Sequence, residues 1–180
     1  VTAFRPSVIF GEQDSLTNRF AKLLRLMPGV FPLACADARF QPVYVEDVAQ
    51  AFVASLDRHS THGQRYDLCG PRSYSLRELV EYLASISGRR CRVLGLNRRL
   101  SWMQAALLEY VPGKPFSLDN FLSLQVDSVC QSGFPAVFGL SPTHLEDVVP
   151  RYLGAQRTQH SVGYCAFRRI PNLLRAQFSA

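Results

Sequence analysis

The stretch that decides the fold runs from Arg39 to Leu56 and reads RFQPVYVEDVAQAFVASL. Its beginning alternates β-branched and aromatic residues, which predicts a short extended segment over Pro42 to Val45. Asp47 then fits a helix N-cap, with Gln50 three residues later at the second position of a capping box. A helix is predicted behind them, and its buried stripe comprises Val48, Ala49, Phe52, Val53 and Leu56.

The approach to this helix carries a polar and aromatic rim formed by Arg39, Gln41 and Tyr44. A short strand that bears such a rim and continues into a buried helix suits the wall of a cleft in an α/β protein.

The chain has 180 residues, of which 47% are hydrophobic, as expected for one globular domain with a sizeable core. No apolar run approaches the roughly 20 residues that span a bilayer, and no secretory signal pattern opens the sequence. The first residue, Val1, lies directly in a strand-like run, which favours a chain cut from a longer protein. We expect one domain over residues 1–154 and a basic tail over residues 155–180.

The net charge is +6, and nearly all of the positive charge is arginine, because Lys22 and Lys114 are the only lysines. The arginines are scattered in pairs, which is typical of a solvated surface. The alternative is contact with phosphates or with an anionic membrane surface. No nucleic-acid-binding motif accompanies the charge, so nucleic acid is not a predicted partner.

The cysteines are widely spaced, and no pair forms a C-x-x-C motif. We expect reduced, mostly buried thiols in a reducing compartment, which favours a cytoplasmic protein. His59 and His62 have no carboxylate or thiol partner at a useful spacing, and no metal site is predicted. The five cysteines are Cys35, Cys69, Cys91, Cys130 and Cys165.

Other segments carry clear local signals. Residues 1–10 read as a buried strand that Arg5-Pro6 interrupts, because proline cannot donate to a strand ladder. Ser75 and Glu78 form a capping box ahead of a helix whose apolar face comprises Leu76, Leu79, Val80, Leu83 and Ile86. Further helices are predicted over 100–110, from Ser117, and from the cap Ser141-Pro142 toward residue 150.

Three stretches resemble extended short-chain dehydrogenases/reductases. RPSVIFG, residues 5–11, resembles their R-P-x-x-[IVY]-[YF]-G strand. QPVYVEDVA, residues 41–49, resembles a later strand–helix corner of the form [FP]-[IV]-x-V-x-D-V-A. The segment from Gly63 to Pro71, followed by YSLREL at 74–79, is similar to their G-x-x-Y-x-L-x-G-P…[ST]-x-x-E-L pattern.

The Q-P-V-Y-V-x-D-V-A form is similar to an atypical branch of this superfamily, as are residues 112–120 and the ending over 140–153. This branch includes the NADPH-binding accessory subunit of respiratory complex I and its bacterial relatives. The resemblance implies an α/β fold, namely the second half of a doubly wound, Rossmann-like domain with a small, mostly helical substrate-side subdomain.

The resemblance also implies site residues. In relatives, the backbone after the Arg-Pro pair lies beside the nicotinamide of NADP or NAD, and the matching residues here are Arg5, Pro6, Ser7 and Val8. Arg39 matches an arginine that approaches substrate phosphates in sugar-nucleotide relatives, and Tyr44 matches a position that faces the pocket. The structural alternatives stay open, namely a surface ion pair for Arg5, a solvated side chain for Arg39 and core packing for Tyr44.

Two family motifs are missing from this sequence. The G-x-x-G-x-x-G turn that holds the pyrophosphate and the catalytic Tyr-x-x-x-Lys are both expected upstream of residue 1. The one literal match, Tyr110 to Lys114, is rejected because Pro112-Gly113 would break the helix that must align the pair. No catalytic residue is therefore assigned.

Three functional hypotheses follow. The first is a stabilising, dinucleotide-binding role in an accessory subunit of a respiratory membrane complex, with a quinone-related partner and a peripheral place at the inner membrane. The second is the substrate-side part of an NAD(P)-dependent sugar-nucleotide epimerase, dehydratase or reductase, and the third is a folded segment without activity. In each case the isolated chain is expected to bind dinucleotide weakly or not at all and to self-associate through an open sheet edge.

Overall fold

A computed structural model describes residues 1–27, 29–88, 91–111 and 116–154. The predicted tail over residues 155–180 lies outside these residues. The described part of the chain consists of both strands and helices. The helices are α1 (Ser15–Leu26), α2 (Val45–Leu56), α3 (Leu76–Ile86), α4 (Arg98–Leu108), α5 (Leu118–Ser123) and α6 (Leu145–Val149). The strands are β1 (Ala3–Pro6), β2 (Ile9–Phe10), β3 (Gly29–Leu33), β4 (Arg39–Phe40), β5 (Val43–Tyr44), β6 (Arg65–Leu68), β7 (Tyr74–Ser75) and β8 (Cys91–Gly95).

The strands pair across long separations in the sequence. β1 pairs with β6, β2 with β5 and β3 with β8, all in parallel, whereas β4 and β7 are antiparallel. Parallel pairs need a long crossover, and here the crossovers contain helices, as in doubly wound folds. The predicted α/β class is confirmed.

The break at Arg5-Pro6 exists, but residues 1–10 do not form one buried strand. β1 is largely exposed and pairs with β6, and after Pro6 the chain changes partner so that β2 pairs with β5. Ser7 N–H still donates to Leu68 O at 2.9 Å, while Val8 O accepts from Val43 N–H at 3.0 Å. The interruption is thus the point where the chain passes from one strand partner to the next.

α3 forms as the sequence predicts. The Ser75 hydroxyl accepts from the Glu78 N–H, and the Glu78 carboxylate accepts from the Ser75 N–H at 2.7 Å, which completes the capping box. The predicted face is buried in the main core, with Ile86 partly buried. This core also contains parts of α1, β3 and α6.

The stripe predicted for α2 is wrong. Of its five residues only Val48 is buried, whereas Phe52, Val53 and Leu56 are exposed by 50%, 63% and 78%. The buried residues of the helix are Asp47, Val48, Ala51 and Ser55, one position away from the predicted face. The buried side of α2 therefore includes the polar residues Asp47 and Ser55, whereas its exposed side carries large apolar residues.

Asp47 is not the N-cap of α2. The helix begins at Val45 after Tyr44, which makes no side-chain capping bond. Asp47 is buried, and its carboxylate accepts from Thr143 N–H at 2.6 Å and from the Thr143 hydroxyl at 3.0 Å. α6 begins only at Leu145, so the start predicted at Ser141-Pro142 is also wrong.

α4 and α5 form near their predicted places but bury little. α4 is capped by Asn97 and buries Ser101 and Ala105, while Trp102 and Met103 are exposed. α5 follows the predicted opening at Ser117 and buries Phe121 alone.

Candidate functional site

The candidate cofactor wall lies where β1 passes into β2. Arg5 forms an exposed ion pair, with its Nε 2.8 Å from Asp67 Oδ1. Pro6 is opposite Leu68 in the parallel ladder, and Val8 packs against the main core. Arg5 therefore forms the surface ion pair that was its structural alternative.

Ser7 is engaged by a segment far away in the sequence. Its hydroxyl donates to Ser128 O at 2.6 Å and lies 2.9 Å from Ser128 Oγ. These residues are 121 positions apart, and no local pattern links them. We call residues 127–130 the strap, because they lie across the wall and bind it at several points.

The strap continues along the rim that leads to α2. Asp127 Oδ1 accepts from Arg39 N–H at 3.0 Å, and Ser128 N–H donates to Arg39 O at 2.8 Å. Ser128 O accepts from Gln41 N–H at 3.0 Å, while Gln41 Oε1 accepts from Cys130 N–H at 3.0 Å. The strap thus binds both backbone groups of Arg39 and the N–H of Gln41.

A disulfide joins the strap to the end of β6. Cys69 and Cys130 are bonded, with their Cα atoms 6.1 Å apart, so the expectation of uniformly reduced thiols is wrong for this pair. Sequence spacing could not reveal it, because the two cysteines are 61 residues apart and meet only through the fold. Cys35 and Cys91 are free and half-buried, and burial raises the pKa of each thiol. Cys165 lies outside the described residues.

The backbones of two loops also meet tightly beside the disulfide. Gln41 Nε2 donates to Gly70 O at 2.7 Å, and Gly70 N–H donates to Gln41 O at 3.3 Å. A Cβ atom at position 70 would overlap the Pro42 carbonyl oxygen, so only glycine fits there. Gln41 is therefore a structural member of the rim, since both ends of its side chain bind backbone.

Arg39 and Tyr44 are placed on the same rim but in different surroundings. The Arg39 side chain is exposed and forms no salt bridge within the described parts of the chain. Tyr44 is half-buried, and its ring centroid lies 5.5 Å from that of Phe10. Burial, together with the Glu46 carboxylate, raises the pKa of the Tyr44 hydroxyl.

A second polar cluster joins β7 to α6. The Tyr74 hydroxyl donates to both Glu146 oxygens, at 2.7 and 2.8 Å, and the Arg72 guanidinium lies 5.0 Å from the centre of the Tyr74 ring. Burial and the Glu146 carboxylate raise the pKa of Tyr74 well above its ordinary range. These groups satisfy one another, which indicates a structural role.

The described residues contain no group of three or more His, Cys, Asp or Glu side chains arranged to hold a metal ion. None of the helices in this part of the chain is long and apolar enough to cross a membrane.

The fold is shared with solved structures of nucleotide-sugar enzymes. UDP-glucose 4-epimerase from Thermotoga maritima aligns over 88% of this chain and 46% of its own, with a TM-score of 0.55 and 12% identity. A nucleoside-diphosphate-sugar epimerase from Staphylococcus aureus aligns over 84% of this chain and 50% of its own, with a TM-score of 0.55 and 18% identity. At these identities the likeness shows the fold alone.

The sequence comparisons agree with this fold. The profile of the 3-beta hydroxysteroid dehydrogenase/isomerase family matches residues 1–75. Together with the shared fold, this match supports the predicted resemblance to the extended short-chain dehydrogenases/reductases.

The chain is also similar to subunits of NADH dehydrogenase (ubiquinone). It is 31% identical over 131 residues to NADH dehydrogenase (ubiquinone) 1 alpha subcomplex subunit 9, mitochondrial, from Arabidopsis thaliana, across 71% of this chain and 32% of that protein. The subunit of the same name from Rattus norvegicus is 28% identical over 148 residues, across 79% of this chain and 38% of that protein. The chain spans about a third of the length of these relatives.

Proposed function

We propose that this chain forms the back wall of a dinucleotide-binding fold in an accessory subunit of a respiratory membrane complex. In this role, bound NADP or NAD stabilises the fold and is not turned over. The similarity to subunit 9 of the NADH dehydrogenase alpha subcomplex supports the partner, and that relative is named as mitochondrial. A peripheral place at an inner membrane follows from this proposal, whereas a cytoplasmic location stays a prediction.

The contacts of the strap support the part of this proposal that says the dinucleotide is not turned over. In the resembling enzymes the residues after Arg-Pro lie beside the nicotinamide, but here the Ser7 hydroxyl is bound by Ser128. Gln41 is likewise committed to Gly70 and Cys130. A wall whose polar groups bind one another offers few of them to a reacting substrate. We keep Pro6, Ser7 and Val8 as the proposed nicotinamide-facing backbone.

The test uses the full-length protein in its native membrane. We expect it to co-purify with the NADH-oxidising complex and to release one dinucleotide per protein on acid treatment, with no change in redox state during incubation with nucleotide sugars. A freely soluble protein that never sediments with this complex would contradict the proposal.

One observation favours an enzyme as the second candidate. The exposed Arg39 guanidinium forms no salt bridge in the described chain and is available to a substrate phosphate. Calorimetry of the full-length protein with UDP-glucose distinguishes the two, because an enzyme of this class should bind it and lose affinity in Arg39→Gln. An absence of binding would remove this candidate.

We also propose that the isolated chain self-associates at β1. Within the described residues β1 pairs with β6 alone, and α2 beside it exposes Phe52, whose ring centroid lies 4.4 Å from that of Phe4. An unpaired strand edge next to apolar surface favours pairing with a second chain. Sedimentation velocity should show a dimer that increases with concentration, and a monomer at every concentration would refute this.

A further inference from the structure

α4 presents an apolar and aromatic face to solvent. Trp102, Met103 and Leu107 are all exposed, and so is Tyr110, two residues after the end of the helix. Positions 103, 107 and 110 follow one another at intervals of three or four residues, which places them on one side of a helix, and Trp102 lies beside them. A contiguous group of exposed apolar side chains marks an interaction surface.

The opposite side of α4 is bound to the rest of the chain and fixes this orientation. Ser101 and Ala105 are buried, and the Ser101 hydroxyl accepts from the Cys35 N–H at 3.3 Å. Gln104 donates from its Nε2 to Pro32 O at 3.1 Å. A rotation of α4 that buried its apolar face would break these contacts, so the face stays available to a partner.

Two exposed arginines begin the same helix. Arg98 and Arg99 form no salt bridge within the described residues. α4 itself contains no acidic residue, and Glu109, the carboxylate that follows it, is half-buried. Cations at the N-terminal end of a helix oppose the helix dipole, so the stability of α4 does not account for these arginines. The surface of α4 therefore combines exposed positive charge with apolar side chains.

The exposed apolar face of α2 differs from that of α4 in its charge. The first turn of α2 is acidic, whereas the first turn of α4 is basic. Anionic lipid headgroups attract exposed lysine and arginine and repel carboxylates. Tryptophan and tyrosine are enriched at the level of the headgroups, where an apolar ring with a polar atom is favoured, and the face of α4 carries both. Its composition therefore fits an anionic lipid surface, which that of α2 does not.

We propose that α4 binds directly to an anionic lipid bilayer. The helix lies in the plane of the interface, with Trp102 and Leu107 among the acyl chains and with Arg98 and Arg99 at the lipid phosphates. This inference goes beyond the peripheral location proposed above, because it assigns the lipid contact to one surface of this chain. It requires neither a dinucleotide nor a respiratory complex, so its test can fail while the proposed function holds, and the reverse.

The test uses Trp102, because it is the only tryptophan of the chain and its fluorescence reports on this face alone. The 180-residue chain is titrated with vesicles of phosphatidylcholine and with vesicles of equal parts phosphatidylcholine and phosphatidylglycerol. We expect the emission to shift to shorter wavelength with the anionic vesicles only, and added salt should reverse the shift. Vesicle binding that leaves the Trp102 emission unchanged would place the contact elsewhere on the chain and overturn the proposal. A shift that appears without vesicles as the protein concentration rises would overturn it too, because a second copy would then cover the face.

A first variant tests the apolar contact. Leu107→Asp places a charge among the acyl chains and should weaken binding to the anionic vesicles at least tenfold, a factor of about the size that burial of one leucine side chain provides. Leu56→Asp is the matched control, because Leu56 is an equally exposed leucine on α2, at 78% against 72% for Leu107. Equal losses in the two variants would mean that the added negative charge alone weakens binding, which contradicts the assignment to α4.

A second pair of variants tests the electrostatic contact. Arg98→Gln and Arg99→Gln should each weaken binding to the anionic vesicles about fivefold, the factor expected for one cation near an anionic membrane surface. Arg65→Gln, at an exposed arginine of β6, changes the net charge equally and is the control. Circular dichroism confirms the fold of each variant. A loss as large in Arg65→Gln would show that the net charge of the chain, and not α4, attracts the vesicles.

Discussion

α2 and α3 have nearly equal lengths, 12 and 11 residues, and both carry apolar residues at helical spacing. The apolar residues predicted to share a face of α3 are all buried except Ile86, which is partly buried. Most of the apolar residues predicted to share a face of α2 are exposed. Helical spacing predicts which side chains share a face, but whether that face is covered depends on the partners present. The partners of α3, namely α1, β3 and α6, are all within this chain.

The largest expected difference between the helices is in the free energy of unfolding. Leu83 of α3 is 0% exposed and Leu56 of α2 is 78% exposed, so the same truncation tests both faces. Leu83→Ala should cost about 2–5 kcal/mol through a lost core contact and a cavity. Leu56→Ala should change stability by no more than about 0.5 kcal/mol. Urea unfolding measures both, and equal costs would mean that the α2 face is covered.

The disulfide gives the next test, because it fixes the rim before α2 and has no counterpart at α3. Cys130→Ser releases the strap from Cys69 and removes the crosslink that restricts the unfolded chain. The higher conformational entropy of the unfolded chain should lower the free energy of unfolding by about 2–4 kcal/mol. Wild-type protein in reductant should unfold at the variant's midpoint, whereas Cys91→Ser, at a free half-buried thiol, should behave as wild type under both conditions. A midpoint that is insensitive to reductant would show that the pair is not bonded.

Asp47 provides a third comparison, between a remote contact and the local cap of α3. Asp47→Ala removes the acceptor of two hydrogen bonds and leaves Thr143 N–H unpartnered. We expect a loss of about 1–3 kcal/mol in urea unfolding, the range for a broken buried polar contact. Glu46→Ala, at an exposed position in the same turn, is the control. Thr143→Val should cost less than Asp47→Ala, because the backbone bond survives.

The sequence predicts what depends on neighbours in sequence. The capping box of Ser75 and Glu78, the buried face of α3 and the break after Pro6 all follow from a few adjacent residues. The strap, the disulfide and the Asp47–Thr143 contact do not, because each joins positions at least 61 apart. Asp47 has the residue type of an N-cap, but tertiary contact takes priority over this local preference.

The same limit applies to the candidate site. The resemblance to short-chain dehydrogenases placed Arg5 to Val8 and the rim of Arg39 and Tyr44 on elements that the structure brings together near the strap. The resemblance gave no indication that Ser128 would form hydrogen bonds with the Ser7 hydroxyl.

The smallest expected effect is at the local cap of α3, and its pH dependence distinguishes it from the contacts of α2. The Ser75 N–H and hydroxyl lower the pKa of the Glu78 carboxyl, so the folded state favours the ionised form. A lowered carboxyl pKa adds stability above the ordinary pKa, and this contribution is lost as the pH falls through the folded value. Ser75→Ala should cost about 0.5–1 kcal/mol at neutral pH, the lower part of the range for an N-cap, because the site is exposed.

Urea midpoints measured from neutral pH down to about pH 3 give the profile of this cap. The destabilisation caused by Ser75→Ala should shrink as Glu78 becomes protonated, and Glu78→Gln should flatten the same part of the curve. Glu81→Gln, another acidic side chain on the exposed side of α3, is the matched control and should keep the wild-type profile. If Glu78→Gln and Glu81→Gln gave the same profile, the cap would not be the source of the pH dependence, and α3 would depend on its buried face alone.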